Sequence, residues 1–420
     1  MKEKAREPAI RFSEFAGAWE QRNFDEVFVS LPNNTLSRSD LNDSDGTSQN
    51  VHYGDVLIKF NEILDLKETE LPFISAGHSK NINALGFLKD GDVVIADTAE
   101  DSTVGKSVEL HNVGSKVVES GLHTMPYRPQ IPFAPKFLGF FLNSSSFHQQ
   151  LLPLMQGTKV VSISKSSIKD RRVHFPSELK EQESIADFFS HLSSLLTLHQ
   201  RKYEQFLILK ESMIQKLFPK DGEHAPEIRF SGCAGDWEQR LLGDIYLERN
   251  ERGSKSLDIL SVSIHSGISE KNLDAGALGK IVRRSEDKSL YKHVFPGDLV
   301  FNMMRAWQGA LGVVKKEGMV SPAYISAIPN AEVYPGFMNY CLRRKNVINQ
   351  INNLSYGVTD FRKRLYWDSF VKIKISLPSI SEQKKITEFL TRLDAAINLH
   401  KRRLGMLKNV KQAFLEKMFI

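Results

Sequence analysis

The segment Ile10 to Arg22 reads IRFSEFAGAWEQR, and 218 positions later the segment Ile228 to Arg240 reads IRFSGCAGDWEQR. Ten of the 13 positions are identical, which chance does not produce in a chain of 420 residues. The period is too long for a solenoid, whose repeats span about 20 to 50 residues. The two copies therefore predict two domain-sized units in tandem.

A second pair of similar segments shows that the ends of the units match while their middles vary. Residues 181–218 begin EQESIADFF, residues 382–419 begin EQKKITEFL, and the two align without a gap over 38 positions, 11 of them identical. These two segments are 201 positions apart, whereas the first pair of segments is 218 positions apart. The second unit is therefore 17 residues shorter than the first between its two repeated segments. Each unit is therefore predicted to be a variable body followed by a similar segment.

Both of these similar segments carry the apolar heptad pattern of long coiled-coil helices. In each segment, apolar residues recur every seven positions and form a first row along the helix, and a second row follows three positions behind it. A third row beside them widens the apolar face of the helix. A 38-residue helix is about 57 Å long, more than one domain needs. We expect the helices to pack as an antiparallel coiled coil with pseudo-twofold symmetry; alternatively, each helix covers only its own domain's core. The predicted interface residues are Ile185, Phe188, Leu192, Leu195, His199, Phe206, Leu209, Met213, Ile386, Phe389, Leu393, His400, Leu407, Val410 and Phe414.

The ends and the centres of the two helices carry further signals. Pro219 is expected to end the first helix, because the residue before a proline disfavours helical backbone. Ser379 and Glu382 have the spacing of a capping box at the start of the second helix. His199 and His400 are each the third of five positions in the first row, so full antiparallel overlap would bring them together. The alternative is that both lie at the edge of the stripe.

The two bodies, residues 23–175 and 241–376, alternate short β-like runs with turns. Gly91-Asp92 precedes Val93-Val94-Ile95, and Gly297-Asp298 precedes Leu299-Val300-Phe301, each typical of a turn that leads into a buried strand. We therefore expect an α+β fold for each body. The expected helical stretches are residues 133–142 and 336–342.

Basic residues mixed with aromatic and amide residues make DNA the expected ligand of the bodies. Arginine and lysine neutralise phosphates, and arginine or glutamine can hydrogen-bond to base edges. Such stretches occur at matching places, after Gly157 and Gly357. The alternative is that each is only a solvated surface. The candidate DNA-binding residues are Lys159, Lys165, Lys169, Arg171, Arg172, Arg305, Gln308, Arg362, Lys363 and Arg364.

The composition excludes several classes of protein. The net charge of +6 and the isoelectric point near 9.0 permit a polyanionic ligand without requiring one. No apolar run approaches the roughly 20 residues that cross a bilayer, and no secretory signal is recognisable, so we expect a cytoplasmic protein. Cys233 and Cys341 have no partner at ligand spacing, so we expect neither a disulfide nor a zinc site.

The sequence has no recognisable catalytic motif. Ser321-Pro322-Ala323-Tyr324 comes nearest to the Asn/Asp-Pro-Pro-Tyr/Phe motif of adenine methyltransferases but lacks its first residue and second proline, so we expect a turn. Val104-Gly105-Lys106-Ser107 resembles the end of a phosphate-binding loop, but Glu100 stands where that loop needs glycine. No histidine lies in an H-E-x-x-H motif, and no serine or cysteine lies in a nucleophile motif. We therefore expect no catalytic and no metal-binding residue.

The chain resembles the specificity subunit of type I restriction-modification systems over its whole length. The resemblance rests on the tandem layout, on the EQxxIxxF/L helix openings after Pro176-Ser177 and Pro378-Ser379, and on GDLVFNMMRAWQG from Gly297 to Gly309. It implies that each body is a target-recognition domain for one half of a bipartite asymmetric DNA site, with the helices setting the spacing. It implies a non-catalytic subunit without a cofactor of its own. The implied partners are two methyltransferase subunits, which carry S-adenosylmethionine, and the restriction and translocase subunits of the full complex.

The resemblance gives a domain layout and leaves two other classes of protein open. The layout is a first target-recognition domain at residues 1–175, a central helix at 176–219, a linker at 220–227, a second target-recognition domain at 228–377 and a distal helix at 378–420. The other classes are a methyltransferase or nuclease of unrecognised chemistry, and a coiled-coil scaffold or regulator that binds DNA without modification. Co-purification with a methyltransferase and adenine methylation of the host genome would separate the three.

Overall fold

The computed structural model describes residues 7–76, 86–254, 256–264, 267–269, 290–357 and 363–420. The chain forms two compact units. Unit 1 consists of residues 1–200 and 402–420, and unit 2 consists of residues 201–401. Each unit contains one variable body and a part of both long helices, and each mixes helices and strands, so the predicted α+β class is confirmed.

The body of unit 1 is built on a five-stranded and a four-stranded sheet. Its short helices are α1 (Phe24–Val27), α2 (Tyr53–Ile58), α3 (Phe137–Leu142), α4 (Ser145–Leu151) and α5 (Lys165–Ile168). Its strands are β1 (Glu20–Asn23), β2 (Phe28–Ser30), β3 (Leu41–Asn42), β4 (Gln49–Val51), β5 (Ile63–Asp65), β6 (Phe73–Ile74), β7 (Val93–Ala96), β8 (Thr98–Ala99), β9 (Ser107–His111), β10 (Val118–Ser120), β11 (Thr124–Pro129), β12 (Val161–Ser162) and β13 (Arg172–Phe175). The sheet orders are β2-β11-β7-β9-β5 and β10-β4-β6-β3, and β1 pairs with β13 and β8 with β12.

The body of unit 2 has a four-stranded sheet and three strand pairs. Its short helices are α7 (Leu242–Ile245), α8 (Pro335–Cys341), α9 (Lys345–Leu354) and α10 (Trp367–Phe370). Its strands are β14 (Glu238–Leu241), β15 (Tyr246–Glu248), β16 (Ser261–Ser263), β17 (Gly267–Ser269), β18 (Lys292–Val294), β19 (Leu299–Asn302), β20 (Leu311–Val313), β21 (Gly318–Val320), β22 (Tyr324–Pro329) and β23 (Lys374–Leu377). The sheet order is β15-β22-β19-β20, and the pairs are β14-β23, β16-β17 and β18-β21.

The central strand of each main sheet begins at the predicted Gly-Asp turn. β7 pairs with β11 and β9, and β19 pairs with β22 and β20, so both strands are covered on two edges. The turn aspartates Asp92 and Asp298 are buried, and each accepts a hydrogen bond from an arginine guanidinium. Arg128 Nη2 donates to Asp92 at 2.7 Å, and Arg249 Nη2 donates to Asp298 at 3.1 Å. A paired charge makes this burial tolerable.

The two long helices, α6 (Leu179–Lys216) and α11 (Ile380–Lys417), each contain 38 residues and contribute to both units. In unit 1, the rings of Phe188 of α6 and Phe414 of α11 lie 4.9 Å apart. In unit 2, the rings of Phe206 of α6 and His400 of α11 stack at 5.6 Å. The early part of α6 thus meets the late part of α11, and the late part of α6 meets the early part of α11. The helices are antiparallel, as predicted.

Equivalent positions of the two helices make equivalent contacts. Lys411 Nζ of α11 lies 2.9 Å from Ser193 Oγ of α6 in unit 1. In unit 2, Lys210 Nζ of α6 lies 2.6 Å from Asp394 Oδ1 of α11. Lys210 and Lys411 are 201 positions apart, as are Ser193 and Asp394. The sequence repeat therefore reappears as a repeat of helix contacts.

The buried face of the helices follows the first and third heptad rows rather than the first and second. Leu195 and Leu209, two second-row residues predicted in the interface, are 44% and 39% exposed. Sequence periodicity could not separate the rows, because positions i+3 and i+4 both neighbour position i. The other predicted interface residues are buried or half-buried, and the closeness of His199 and His400 stays a prediction. Six buried positions of α11 are spaced alternately by four and three residues: Ile386, Leu390, Leu393, Ile397, His400 and Leu404.

The IRF repeat and the EQ repeat, far apart in the sequence, meet in each unit through a buried ion pair. In unit 1, Arg11 Nε and Nη2 donate to the two carboxylate oxygens of Glu181 at 2.7 and 2.8 Å. In unit 2, Arg229 donates to Glu382 at 2.9 and 2.6 Å. The hydrogen bond to Glu181 raises the pKa of Arg11 above its ordinary value. Such two-pronged pairs are among the strongest polar contacts in proteins, so each holds its IRF segment against the start of a long helix.

The same IRF segments cap the ends of the long helices. Ile10 N donates to the carbonyl of Lys417 in unit 1, and Ile228 N donates to the carbonyl of Lys216 in unit 2, both at 3.0 Å. The last carbonyl groups of a helix have no partner within the helix, so these bonds satisfy one of them. Ile420 stands at the position equivalent to Pro219, yet α11 ends at the position equivalent to the end of α6. Pro219 is thus compatible with the end of α6 but is not needed for it.

The predicted capping box at the start of α11 is only half formed. Ser379 Oγ accepts the backbone N–H of Glu382 at 3.4 Å, which is the first half of the motif. The Glu382 carboxylate binds Arg229 instead of returning to the backbone of Ser379. A charge-assisted pair is stronger than a bond to a neutral amide, so the tertiary contact wins. That part of the prediction was wrong.

Replacing Glu181 by alanine should destabilise unit 1 strongly, because it leaves the Arg11 guanidinium without its buried counter-charge. Loss of one partner of a buried pair costs about 3 to 5 kcal/mol. The matched control is Arg22→Ala, which removes a solvent-exposed pair with Glu20 and should cost about 1 kcal/mol or less. Urea denaturation of the full chain measures both. Equal losses of unfolding free energy in the two variants would contradict the role of the pair.

Candidate nucleic-acid interface

In unit 2, the predicted DNA-binding residues Arg305 and Gln308 lie on a short loop directly after the central strand β19. A 3-10 turn, Ala306–Gln308, forms within the loop, and Gly309 closes it with a φ of 91° that favours glycine. Ala306 is buried and anchors the loop, whereas Arg305 and Gln308 are exposed. The loop therefore presents a guanidinium and an amide to solvent from a rigid strand end.

A second predicted stretch of unit 2 reaches the same loop. Tyr356 and Arg364 exchange two backbone hydrogen bonds of 3.1 and 2.9 Å and so close a hairpin. Directly after it, Leu365 N donates to the carbonyl of Met303 at 2.9 Å. Arg364 is exposed, and Arg362 lies outside the described residues. The hairpin is thus fixed to the loop through the backbone.

Side chains complete the junction between the hairpin and the loop of unit 2. Lys363 Nζ lies 5.1 Å from the centre of the Trp307 ring, within the range of a cation–π contact. Trp307 Nε1 donates to the carbonyl of Met304 at 3.1 Å, which fixes the ring. The structure therefore brings together the two segments that carry four of the predicted residues. These residues are Arg305, Gln308, Lys363 and Arg364.

Unit 1 carries the same backbone frame after its own central strand, β7. The loop after β7 is closed by Gly105, whose φ of 91° equals that of Gly309. Its hairpin is closed by Gln156 and Ser162, which exchange backbone bonds of 3.0 and 2.9 Å. Directly after it, Ile163 N donates to the carbonyl of Asp97 at 2.9 Å, as Leu365 N does to Met303 in unit 2. The matching positions predicted after Gly157 and Gly357 thus belong to matching hairpins.

The side chains on this common frame differ in charge between the two units. The loop of unit 1 carries the acidic residues Asp97, Glu100 and Asp101. The loop of unit 2 carries Arg305 and Gln308 instead. One backbone arrangement therefore presents two chemically different surfaces.

The predicted lysines of unit 1 have three different environments. Lys159 is exposed at the tip of the hairpin, and Lys169 is exposed at the end of α5. Lys165 is half-buried, and its Nζ lies 3.4 Å from both the carbonyl of Leu31 and Asn33 Oδ1. Burial lowers the pKa of Lys165 below its ordinary value. Two of the three lysines are therefore open to a phosphate.

Arg171 and Arg172 lie in another part of unit 1. They line a cavity of about 990 Å³ whose wall also includes Gln150 and Lys417, beside the C-terminal end of α11. The backbone N–H of Arg172 bonds to Gln150 Oε1 at 2.8 Å, which fixes the start of β13. The structure does not bring these arginines to the hairpin of Lys159.

Sequence analysis missed Tyr53, Thr98 and His123, which gather beside the loop of unit 1. The rings of Tyr53 and His123 lie 5.3 Å apart, and Thr98 Oγ1 lies 3.3 Å from His123 Nδ1. Asp97 N donates to the carbonyl of His123 at 3.1 Å, which places the imidazole next to the acidic loop. The residues come from separate segments, so no spacing in the sequence links them.

Two motifs that resembled parts of enzyme sites have structural roles. Lys106 Nζ donates to the carbonyls of Leu57 and Phe60 at 2.9 and 2.8 Å and so closes the end of α2. Burial lowers the pKa of Lys106. Residues 321–324 form the predicted turn into β22.

Two other kinds of feature are absent from the described part of the chain. No group of three histidine, cysteine, aspartate or glutamate side chains could hold a metal ion. No helix among these residues is both long and apolar enough to cross a membrane.

Comparisons with known proteins agree with this architecture. Residues 235–409 match the family model of the type I restriction modification DNA specificity domain. The fold is similar to a type I restriction-modification system S subunit from M. genitalium, at 16% identity and a TM-score of 0.61 over 99% of both chains. It is also similar to the HsdS subunit from Thermoanaerobacter tengcongensis, at 17% identity and a TM-score of 0.43 over 96% of both chains. Residues 235–409 are thus similar to the type I restriction modification DNA specificity domain, and the fold of the whole chain is similar to that of the M. genitalium S subunit.

Proposed function

We propose that this chain is the DNA-recognition subunit of a type I restriction-modification complex and that it reads a bipartite, asymmetric target. Unit 1 reads one half-site and unit 2 reads the other. The observation that carries the proposal is the repeated loop and hairpin frame, which has different side chains in the two units. A constant frame with changed side chains is what two independent readers of unlike sequences require.

In unit 2, Arg305 and Gln308 are the proposed base readers. Arginine can donate two hydrogen bonds to guanine O6 and N7, and glutamine can pair with adenine N6 and N7 in the major groove. Lys363 and Arg364 are the proposed phosphate contacts, which fix the register of the protein on the duplex. The buried anchor Ala306 keeps the loop rigid, so these side chains are positioned before DNA binds.

The chemistry of modification is proposed to come from partner subunits. We infer that two methyltransferase subunits, which carry S-adenosylmethionine, dock on the long helices, and that restriction and translocase subunits join the full complex. Exposed apolar side chains on α6 support this, because clustered apolar surface marks interaction sites. Leu195, Leu198 and Leu209 lie within about 60° around the helix axis at 100° per residue. All three are among the exposed large apolar residues.

The chain purified alone is expected neither to methylate nor to cleave DNA, because the proposed subunit carries no catalytic group. Addition of the methyltransferase subunit encoded with it should produce adenine methylation at a bipartite motif, mapped by long-read sequencing. Methyl transfer by the chain alone would overturn the proposal. DNA binding without any effect on methylation would favour a regulator.

Replacing Arg305 by alanine should relax one base position in one half-site. A lost two-pronged base contact is worth about 1 to 3 kcal/mol, so affinity for the preferred base should fall about 5-fold to 150-fold. Lys363→Ala should instead weaken binding to all sequences and reduce the salt dependence by about one phosphate contact. The control is Lys372→Ala, an exposed lysine elsewhere in unit 2. Titrations of the assembled complex with duplexes that vary one base at a time measure all three. Uniform weakening by Arg305→Ala would exclude its role in base reading.

Inserting one heptad at matched positions of α6 and α11 should lengthen the spacer between the half-sites. Seven residues add about 10.5 Å of helix, which is about three base pairs at 3.4 Å each. The bases read at both ends should stay the same. Seven residues inserted in the linker at residues 220–227 serve as the control, because they lengthen no helix. A spacer that does not change after the helix insertion, seen in methylation maps, would mean that the helices do not set it.

A further inference from the structure

The loop of unit 1 contains neither arginine nor glutamine, so the side chains proposed to read bases in unit 2 have no counterpart in it. The loop from Asp97 to Lys106 reads DTAEDSTVGK. Its carboxylates can accept a hydrogen bond from a cytosine amino group, but their negative charge repels the DNA phosphates. His123 lies beside the start of this loop, and its imidazole can offer an acceptor that carries no negative charge.

His123 holds a defined place on the common frame. Its carbonyl accepts a hydrogen bond from Asp97 N at 3.1 Å, just as the carbonyl of Ala323 accepts one from Met303 N at 3.4 Å in unit 2. The imidazole of His123 in unit 1 therefore occupies the position that the methyl group of Ala323 has in unit 2. His123 has a φ of 55°, in the left-handed region, and its side chain is 45% exposed. Because large residues rarely adopt this backbone conformation, a turn that holds His123 in it fixes the point from which the imidazole side chain leaves the backbone.

The hydrogen bonds of His123 determine which ring nitrogen carries the proton. Nδ1 lies 3.3 Å from Asp97 Oδ1 and 3.3 Å from Thr98 Oγ1. A carboxylate only accepts, and the Thr98 hydroxyl already donates its hydrogen to Asp97 Oδ1 at 2.7 Å. Both neighbours are therefore acceptors, so Nδ1 must carry the hydrogen. In the neutral ring, Nε2 is then left as an acceptor.

The other groups around the ring leave this nitrogen open. The Tyr53 ring packs at 5.3 Å with its plane at 75° to the imidazole, and His52 packs behind Tyr53 at 4.7 Å. Among the described residues, none forms a hydrogen bond with His123 Nε2. The ring is thus held on one edge by Asp97 and Thr98 and supported on another by Tyr53.

We propose that His123 is the base-reading residue of unit 1, and that its Nε2 accepts a hydrogen bond from the exocyclic amino group of adenine or cytosine in the major groove. Asp97 is the positioning residue that fixes the tautomer. Guanine O6 and N7 and thymine O4 are acceptors, so the same nitrogen disfavours guanine or thymine at that position of the strand. This inference rests on the proposed function, because it names a contact within the first half-site.

The test compares His123→Gly with the wild-type chain in the assembled methyltransferase complex. Glycine adopts a φ of 55° without strain, so the backbone is kept while the imidazole is removed. Binding to duplexes that vary each base of the first half-site is measured at about pH 8. In the His123→Gly variant, discrimination between bases should fall at least tenfold at one position of the first half-site, where the wild-type complex requires adenine or cytosine. Recognition of the second half-site should not change. The matched control is Asn112→Gly in unit 1, which also replaces a left-handed residue, with a φ of 56°, and should leave the motif intact.

Asp97→Asn tests the positioning role. An amide can donate as well as accept, so the proton on Nδ1 is no longer fixed. The position relaxed by His123→Gly should then tolerate guanine or thymine, with affinity for the rest of the site unchanged. A folded His123→Gly variant with full discrimination at every base would overturn the inference and leave the proposed function intact. A wild-type complex that reads no bipartite motif would overturn the proposed function itself.

Discussion

A buried arginine–glutamate pair at the start of each long helix is the constraint on which the rest of each unit depends. Arg11 holds Glu181, and the same guanidinium donates to the carbonyl of Gly17 at 2.6 Å. Trp19 Nε1 also donates to Glu181, at 3.3 Å, so the buried tryptophan is positioned by the same carboxylate. A buried charge without its partner costs several kcal/mol, so the IRF segment, the loop after it and the helix start are fixed as one structure. The body is built outward from that point.

The loop and hairpin frame is the same in both units because hydrogen bonds between backbone atoms hold it together. The bonds from Ile163 N to Asp97 and from Leu365 N to Met303 use only groups that every non-proline residue has. Side chains on the loops can therefore change without cost to the frame. The acidic loop of unit 1 and the basic loop of unit 2 are two outcomes of that freedom. The proposed reading of two unlike half-sites needs this separation of framework from contact residues.

Much of the fold could be predicted from the sequence, because repeats, heptads and turn residues are local signals. The two helices, their antiparallel pairing and the turns before β7 and β19 followed from such signals. The sequence could not show whether the second or the third heptad row is buried, because both rows contain apolar residues. The role of Glu382 depends on Arg229, 153 positions away, which no local rule could supply. Similarly, His123 meets Thr98 only because strand pairing brings their segments together.

The division of the chain between the units has a consequence for how the protein is made. The core of unit 1 includes Phe419, whose ring lies 6.3 Å from that of Trp19 and 5.7 Å from that of Phe189. Unit 2 is a continuous stretch of chain, residues 201–401. Because a ribosome makes the chain from its N-terminus, the unit whose synthesis begins first is the last to obtain its complete core. Until then, its exposed aromatic residues depend on chaperones or on speed of synthesis to avoid aggregation.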